Sequence, residues 1–334
     1  MRVVALNVGS STVKWSTFDG VERDEPWPMK RQASSGALSD DALHALLHGA
    51  DVVAHRVVHG GARRAPAIVD DELVHAIEEL VPLAPLHLPP ALAVLRRARA
   101  ATRAPQVACF DTAFHATLPA VAARFAVSDA ATALGVRRYG FHGLSYEYVR
   151  GTLGSAPPSR VVVLHLGNGA SACAMKDGVS IDTTMGMTPT GGFPMGTRSG
   201  DLDPGVLLFL MREHGYDEAR LAKLLEHESG LLGMGGTADM RELLARRASD
   251  DRARLAVDVF VYSIKKTVGA FAAALGGLDL LVFTGGIGEH ATEVRDAITS
   301  GLAHLGAFEV RVVETNEELV MARHASALCP PGGF

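Results

Sequence analysis

The sequence predicts an α/β protein built from two copies of one domain, and three observations carry that expectation. The chain has 334 residues, more than one compact core usually holds, so two domains are expected. Residues 3–20, VVALNVGSSTVKWSTFDG, match residues 161–178, VVVLHLGNGASACAMKDG, at a constant offset of 158. Elsewhere apolar strand-like runs alternate with segments of helical period, the pattern of α/β architecture.

Each element follows from its local pattern. In both copies of the repeat a β-branched run meets a small-residue turn, then a second strand-like run, then Asp-Gly, a hairpin turn signal. Two unrelated hairpins sharing turn chemistry are the alternative to a duplication. Residues 51–58, DVVAHRVV, and 106–110, QVACF, read as buried strands. Helical periodicity marks 70–80, 91–102, 205–214, 217–227 and 251–275. Residues 278–283, LDLLVF, form another apolar strand, followed by the turn TGGIGEH and a helix from about Ala291. Residues 309–314, EVRVVE, read as a strand, and 316–328 as a closing helix.

Composition excludes several classes. A net charge of −5 gives no electrostatic footprint for nucleic acid, and 6% aromatics offer few stacking platforms for bases. No apolar run reaches the ~18 residues of a membrane span. The opening MRVVALNVGSS turns polar too soon for a signal peptide. Three scattered cysteines, Cys109, Cys173 and Cys329, form no CxxC pair and read as reduced thiols in a cytoplasm.

Three Gly-rich turns follow strands: NVGSSTVK (7–14), HLGNGAS (165–171) and TGGIGEH (284–290). None matches the Walker pattern. Each still offers what a phosphate needs, exposed backbone N–H groups with hydroxyl or Lys donors beside them. Singly each is an ordinary turn; three of them, two in equivalent repeats, point to a nucleotide lying between two domains. In HRVVHGG (55–61) two histidines four apart could share a metal on a helix. The Val-Val between them favours a strand, where they stand about 13 Å apart at about 3.3 Å per residue. That rejects a shared ion. Arg56 reads as one half of a structural ion pair with Asp111, which stands at a strand's C-terminal end in FDTAFH (110–115), where α/β sheets build their sites. His142 in YGFHG (139–143) reads as a packing histidine, and Glu317 in TNEEL (315–319) as a charge favoured by a helix N-terminus. In PTGGFPMGTRSGDLDPG (189–205) a single cation, Arg198, sits in a loop of five glycines and three prolines and could pair with Asp201 or Asp203.

Taken together these stretches resemble the acetate kinase family. The matching segments are NVGSSTVK, HRVVHGG, LAPLHLPP, FDTAFH, RRYGFHGLS, HLGNGAS, MGTRSGDLDP, FTGGIGEH and TNEEL, nine motifs in the family's order from Asn7 to Leu319. The resemblance implies the fold of the acetate and sugar kinase, heat-shock chaperone and actin superfamily: duplicated RNase H-like domains with ATP in an interdomain cleft. The expected domains are 1–115 plus 319–334, and 116–318. Residue by residue, Arg56, Asp111, His142 and Arg198 match the catalytic set. Asn7 and Glu317 match positions near magnesium, for which manganese can substitute. Ser10, Thr12 and Lys14 match the first phosphate turn, and His165, Asn168 and Gly169 the second. Gly286 and Gly288 match the turn beneath adenosine, and Asp239, Met240 and Arg241 the flank of base and ribose. Val58, Leu86, Phe141 and Pro189 match the pocket for the substrate's methyl group; Val58 slightly favours the smaller acid.

The implied activity is reversible transfer of the ATP γ-phosphoryl to acetate, giving acetyl phosphate and ADP, by a cytoplasmic homodimer. Propionate or another short-chain acid is the nearest alternative, since one methylene discriminates by only ~1–3 kcal/mol. From a different class, an ATP-switched binding module like the chaperones or actin is the other; it has no use for the Arg56 and Arg198 pair. The chain departs from the family in being short, with trimming expected at 20–50 and 300–312. Thr12 replaces Ser, Met240 an aromatic, and His290 an Asn or Ser. TGGFP (190–194) replaces a Leu-Glu-Gly stretch beside the acyl pocket.

Overall fold

All of strand β1 (Val3–Val8) is buried, so this apolar run must be covered on both faces. A computed structural model of the chain, describing residues 1–9, 13–19, 29–34 and 38–330, shows how. β1 pairs antiparallel with β2 (Val13–Phe18), and β2 antiparallel with β3 (Met29–Ser34). On its other side β1 runs parallel to β4 (Val52–Val57), and β4 parallel to β6 (Gln106–Phe110). The short β5 (Ala67–Ile68) closes the edge antiparallel to β6. Alternate side chains go to opposite faces. Val4, Leu6 and Val8 pack with Leu43 and Leu47 of helix Asp40–Leu47 and with Ala91, Val94 and Ala98 of helix Leu88–Ala101. Val3 and Ala5 pack instead with Val320, Met321 and Ala325 of helix Glu317–Leu328.

A second sheet repeats the plan. β7 (Arg160–Leu166), β8 (Ala170–Lys176) and β9 (Val179–Thr183) form an antiparallel meander. β10 (Leu280–Thr284) and β11 (Glu309–Val312) extend it in parallel beyond β7. The orders are β3-β2-β1-β4-β6-β5 and β11-β10-β7-β8-β9. In both, a three-stranded meander is followed by two strands parallel to its first, so the duplication read from the 158-residue offset is present as topology. The Asp-Gly signal closes the β8–β9 turn, with Asp177 at φ 51° and Gly178 at φ 76°, the left-handed pair a tight hairpin needs. The helix Asp251–Leu275, capped by the Asp250 carboxylate and ended by Gly276 at φ 77°, packs on β7 and β8.

The chain divides into two compact units: Met1–Ala116, Phe141–Tyr148 and Asn316–Phe334 in one, Thr117–Gly140 and Val149–Thr315 in the other. Two segments differ from the boundaries expected from sequence. Phe141–Tyr148 goes with the first unit because Leu144 joins its core and Tyr146 packs on the rings of Phe114 and His115. Residues 316–318 go there too, because Glu317 and Glu318 bond to Asn7. The expected turn TGGIGEH contains a short helix, Gly285–His290. FDTAFH continues past its strand as a 3-10 turn, Asp111–Thr117. No described helix is long and apolar enough to cross a membrane.

Candidate active site

In the first unit the parallel register of β1 and β4 sets Leu6 opposite His55, so Asn7 and Arg56 leave neighbouring strand ends together. β6 ends at Phe110, opposite Val57, which puts Asp111 beside Arg56. The Arg56 guanidinium grips Asp111 with two bonds, Nε to Oδ1 at 3.1 Å and Nη2 to Oδ2 at 2.6 Å. This fork is the strongest geometry an arginine offers a carboxylate. Its Nη1 donates to Asn7 Oδ1 at 3.1 Å and lies 3.3 Å from Glu317 Oε2. The Asn7 Nδ2 then donates to Glu317 Oε2 and Glu318 Oε1, each at 2.9 Å. One amide thus has its oxygen turned to a cation and its nitrogen to two carboxylates. Burial works against the Arg56 charge, but Asp111 and Glu317 more than offset it and hold the guanidinium protonated above its ordinary value. Burial pushes the Asp111 carboxyl up, opposed by Arg56. The structural reading of Arg56 as half of an ion pair with Asp111 is therefore correct, and the pair is also wired to Asn7 and Glu317. Lys14 is the cross-strand partner of Asn7 and exposed. Ser10 and Thr12 lie outside the described residues.

His142 is one of two described non-glycine residues in the left-handed region, at φ 57°. Such a conformation costs roughly 1–3 kcal/mol and persists only when its surroundings hold it. Asp111 supplies part of that hold by accepting the His142 backbone N–H. At Gly143 a Cβ would collide with the Asp111 carbonyl, so only glycine fits. His115 Nε2 lies 3.0 Å from the Phe141 carbonyl, and the His59 ring meets the Phe141 ring edge-on at 5.4 Å between centroids. Val58 and Phe141 are buried, and Leu86 is half-buried in the turn before helix Leu88–Ala101. His55 and His59 share no site: His55 bonds Gln106 at 2.6 Å, and His59 Nδ1 accepts the Gly61 N–H at 3.0 Å. Burial lowers the His55 pKa to about 4.

In the second unit the loop around Arg198 is pinned along its backbone. The Met195 N–H donates to the Arg198 carbonyl, the Leu231 N–H to Met195, the Leu232 N–H to Gly196 and the Ser229 N–H to Thr197. The Ser199 N–H reaches the Leu225 carbonyl, and the Thr197 hydroxyl that of Glu226 at 2.7 Å. Gly230, at φ 62°, lets the Met195 carbonyl approach where a Cβ would block it. Arg198 itself is 9% exposed, and its Nη1 donates to the Pro189 carbonyl at 2.9 Å. Asp201 is occupied with the Gly192 N–H, and Asp203 caps helix Pro204–His214. The Gly196 N–H donates to the Asn168 carbonyl at 2.9 Å, and the Asn168 side chain closes over Gly196. The arginine loop and the HLGNGAS turn are thus one packed piece. His165 is half-buried at the end of β7, and Gly169 closes the turn through its carbonyl to the Gly167 N–H at 3.1 Å. Gly286 is exposed and Gly288 buried. Asp239 caps helix Met240–Arg246 and pairs with Arg241 at 2.7 Å, which lowers its pKa to about 2. Met240 is 3% exposed, so its side chain packs inward rather than presenting a face to a base.

A profile of the acetokinase family matches residues 32–322. The chain belongs to the acetokinase family. The acetate kinase of Rhodopseudomonas palustris is 45% identical, with 99% of both chains covered, and that of Nitrobacter hamburgensis 47% identical over 83% of this chain and 74% of its own. Among solved structures, a propionate kinase from Francisella tularensis superposes with TM-score 0.87 at 32% identity, and an acetate kinase from Porphyromonas gingivalis with TM-score 0.85 at 34%. Each of these covers 98% of this chain and 99% of its own. The fold is that of these kinases, a duplicated actin-like ATPase plan. The Rhodopseudomonas alignment spans 395 positions against 334 residues here, so this acetokinase lacks at least 61 positions internally.

His115 and Glu318 of this acetokinase's networks went unread in the sequence, and His59 was weighed there only as a metal ligand. Glu318 had a signal, the doubled Glu of TNEEL. The others lacked one, because their partners come from distant segments or are backbone groups.

Proposed function

We propose that this acetokinase transfers the γ-phosphoryl of ATP to the carboxylate of acetate, reversibly and in line, giving acetyl phosphate and ADP. The observation that carries the reading is the network of Asn7, Arg56, Asp111 and Glu317. Four residues matched to the family's site, scattered from position 7 to 317, meet through bonds of 2.6 to 3.3 Å. An acetate nucleophile is already ionised at neutral pH and needs no strong general base. The barrier is repulsion between two anions, so positioning and cationic stabilisation carry the catalysis. Arg56 and Arg198 hold carboxylate and phosphoryl oxygens, Asp111 orients Arg56, and His142 donates to the equatorial oxygens. Val58, Leu86 and Phe141 of the first unit, and Pro189 of the second, are the residues matched to the methyl group. His165, Asn168, Gly169 and Lys14 take the phosphates, and the turn at Gly286 and Gly288 takes the nucleoside.

The donor set near Asn7 fits a magnesium ion. Glu317 would hold it through a carboxylate oxygen, and Asn7 stands beside Glu317 with its Nδ2 2.9 Å from Oε2; the Asn7 oxygen, which accepts from Arg56 Nη1, would turn to the ion. No cluster of three or more His, Cys, Asp or Glu ligands occurs among the described residues. That agrees with magnesium, which takes one or two protein oxygens and completes its shell with water and phosphate. The chemistry it supplies is neutralisation of phosphate charge.

The test is a hydroxylamine trap for acyl phosphate, run with ATP and acetate, propionate or butyrate. Acetate and propionate should both give hydroxamate, and butyrate far less; activity on butyrate alone, or on none, overturns the reading. Propionate stays a close competitor because an apolar pocket separates neighbouring acids by only about 10–200-fold.

The protein is further read as a cytoplasmic homodimer. Cys109, Cys173 and Cys329 are buried free thiols. Helix Pro204–His214 buries none of its side chains and exposes Val206, Leu208, Phe209 and Met211. An apolar stripe of this kind marks an association surface. Sedimentation equilibrium should return twice the 35.2 kDa chain mass; the single-chain mass at micromolar concentration removes the dimer.

A further inference from the structure

Glu289 holds none of the roles assigned above, yet it joins two of them. It lies on the short helix Gly285–His290, and its side chain turns back so that Oε1 accepts the Gly285 N–H at 2.9 Å. The same oxygen accepts the Thr315 N–H at 3.2 Å. Gly285 opens the turn assigned to the nucleoside. Thr315 is where the chain leaves the second unit, and Asn316 begins its return to the first. Glu317, two residues further on, carries the bond to Asn7.

Both ends of this link are stiff. Gly285 is held at φ +77° against the backbone of Leu166, where a Cβ would be crowded. Arg295 Nη1 donates to the carbonyls of Gly288 and Glu289 at 2.9 Å each, fixing the far end of the short helix. Asn316 caps the closing helix by accepting the Leu319 N–H at 3.1 Å. A glycine-rich turn has few side chains to anchor it, so the one carboxylate that both satisfies its first N–H and reaches the Thr315 N–H ties it to the next segment.

We propose that Glu289 is a positioning residue coupling the nucleotide turn to the segment that carries Glu317. Nucleotide and divalent ion then favour each other's binding through one carboxylate oxygen. The inference rests on the phosphotransferase reading. Reach matters more than charge, because both donors meet the same oxygen.

Three variants separate these factors. Glu289→Gln keeps an oxygen at the same distance, Glu289→Asp keeps the charge but is one methylene short, and Glu289→Ala loses both. The measurement is ADP affinity by calorimetry with and without Mg2+, alongside thermal melting. In the wild type Mg2+ should tighten ADP binding. E289Q should retain that gain within about threefold. E289D and E289A should lose about tenfold or more of it, the size expected when support behind a metal ligand is removed, with melting little changed. Three outcomes overturn the inference: E289D behaving as the wild type, E289Q falling with E289D, or an equal loss of ADP affinity with and without Mg2+. A wild type that makes no acyl phosphate while these ratios move as stated overturns the acceptor assignment and leaves the role of Glu289 standing.

Discussion

The two arginines assigned to catalysis are held in place by opposite means. Arg56 stands on a sheet strand, and its guanidinium is fixed by its own bonds to Asp111, Asn7 and Glu317. Arg198 stands in a loop whose main chain is pinned from Met195 to Ser199, with its guanidinium against the Pro189 carbonyl. Arg56 is gripped directly by a carboxylate fork, whereas Arg198 stands on a pinned main chain with its guanidinium on the Pro189 carbonyl and the Met195 sulfur and in the field of Glu226. Each therefore fails differently: removing the Arg56 partners releases the side chain, whereas the Arg198 loop survives loss of the side chain itself.

The largest effect should come from Arg198→Ala. Arginines that stabilise a transferring phosphoryl are worth about 10³–10⁵ in turnover, and the variant should lose that much. Its KM for ATP should stay near the wild-type value, and its melting temperature should move little. Most of the loop's bonds run through backbone atoms, and the side chain takes with it its bonds to the Pro189 carbonyl and the Met195 sulfur. Arg198→Lys should recover little, since a lysine cannot reproduce the planar donor geometry. Steady-state kinetics with a melting curve read all three. Turnover like the wild type would sink the catalytic role, and a large drop in melting would break the comparison by showing that the side chain holds the loop.

Much of this was legible in the sequence because it lives in short-range pattern. β1, β4, β6 and β10 are short, mostly apolar and buried runs, broken by Asn7 in β1 and by His55 and Arg56 in β4, and the duplication shows as two similar stretches at fixed offset. The pairing of Arg56 with Asp111 was readable too, as both stand at strand ends of one sheet. What was hidden depends on contacts across long separations. Glu318 bonds Asn7 from 311 positions away, and neither local stretch announces the other. The helix Gly285–His290 reads as a turn because its glycines disfavour helix; the Glu289 side chain bonding back to the Gly285 N–H, and Arg295 bonding the Gly288 and Glu289 carbonyls, add side-chain support that propensity does not contain. Phe141–Tyr148 changes unit for the same reason, since Leu144 and Tyr146 choose their side by packing. Asp239 and Arg241, matched to the base and ribose, turn out to pair with each other. That pairing follows from a cap geometry set by where the helix begins.

A smaller and different loss should follow from Asp111→Asn. The substitution keeps the shape but sets up a conflict. Oriented with its oxygen toward the His142 N–H, the new amide turns an NH2 group toward the Arg56 guanidinium, donor against donor. Turned the other way, it still sets an NH2 group against an Arg56 donor, because the fork uses both carboxylate oxygens, and it leaves the strained His142 backbone without its acceptor. Removing one partner of a buried ion pair costs about 3–5 kcal/mol, so melting should fall by several degrees. Arg56 keeps Asn7 and Glu317, so it should be misaimed rather than lost. Misplacement near 1 Å costs about 10²-fold, and turnover should fall by about that factor, with KM for acetate rising and KM for ATP nearly unchanged. The pattern is the mirror of Arg198→Ala: more stability lost, less turnover. If Asp111→Asn instead matches Arg198→Ala in turnover with unchanged melting, Asp111 acts on the substrate directly, and the division between an electrostatically placed and a backbone-placed arginine is wrong.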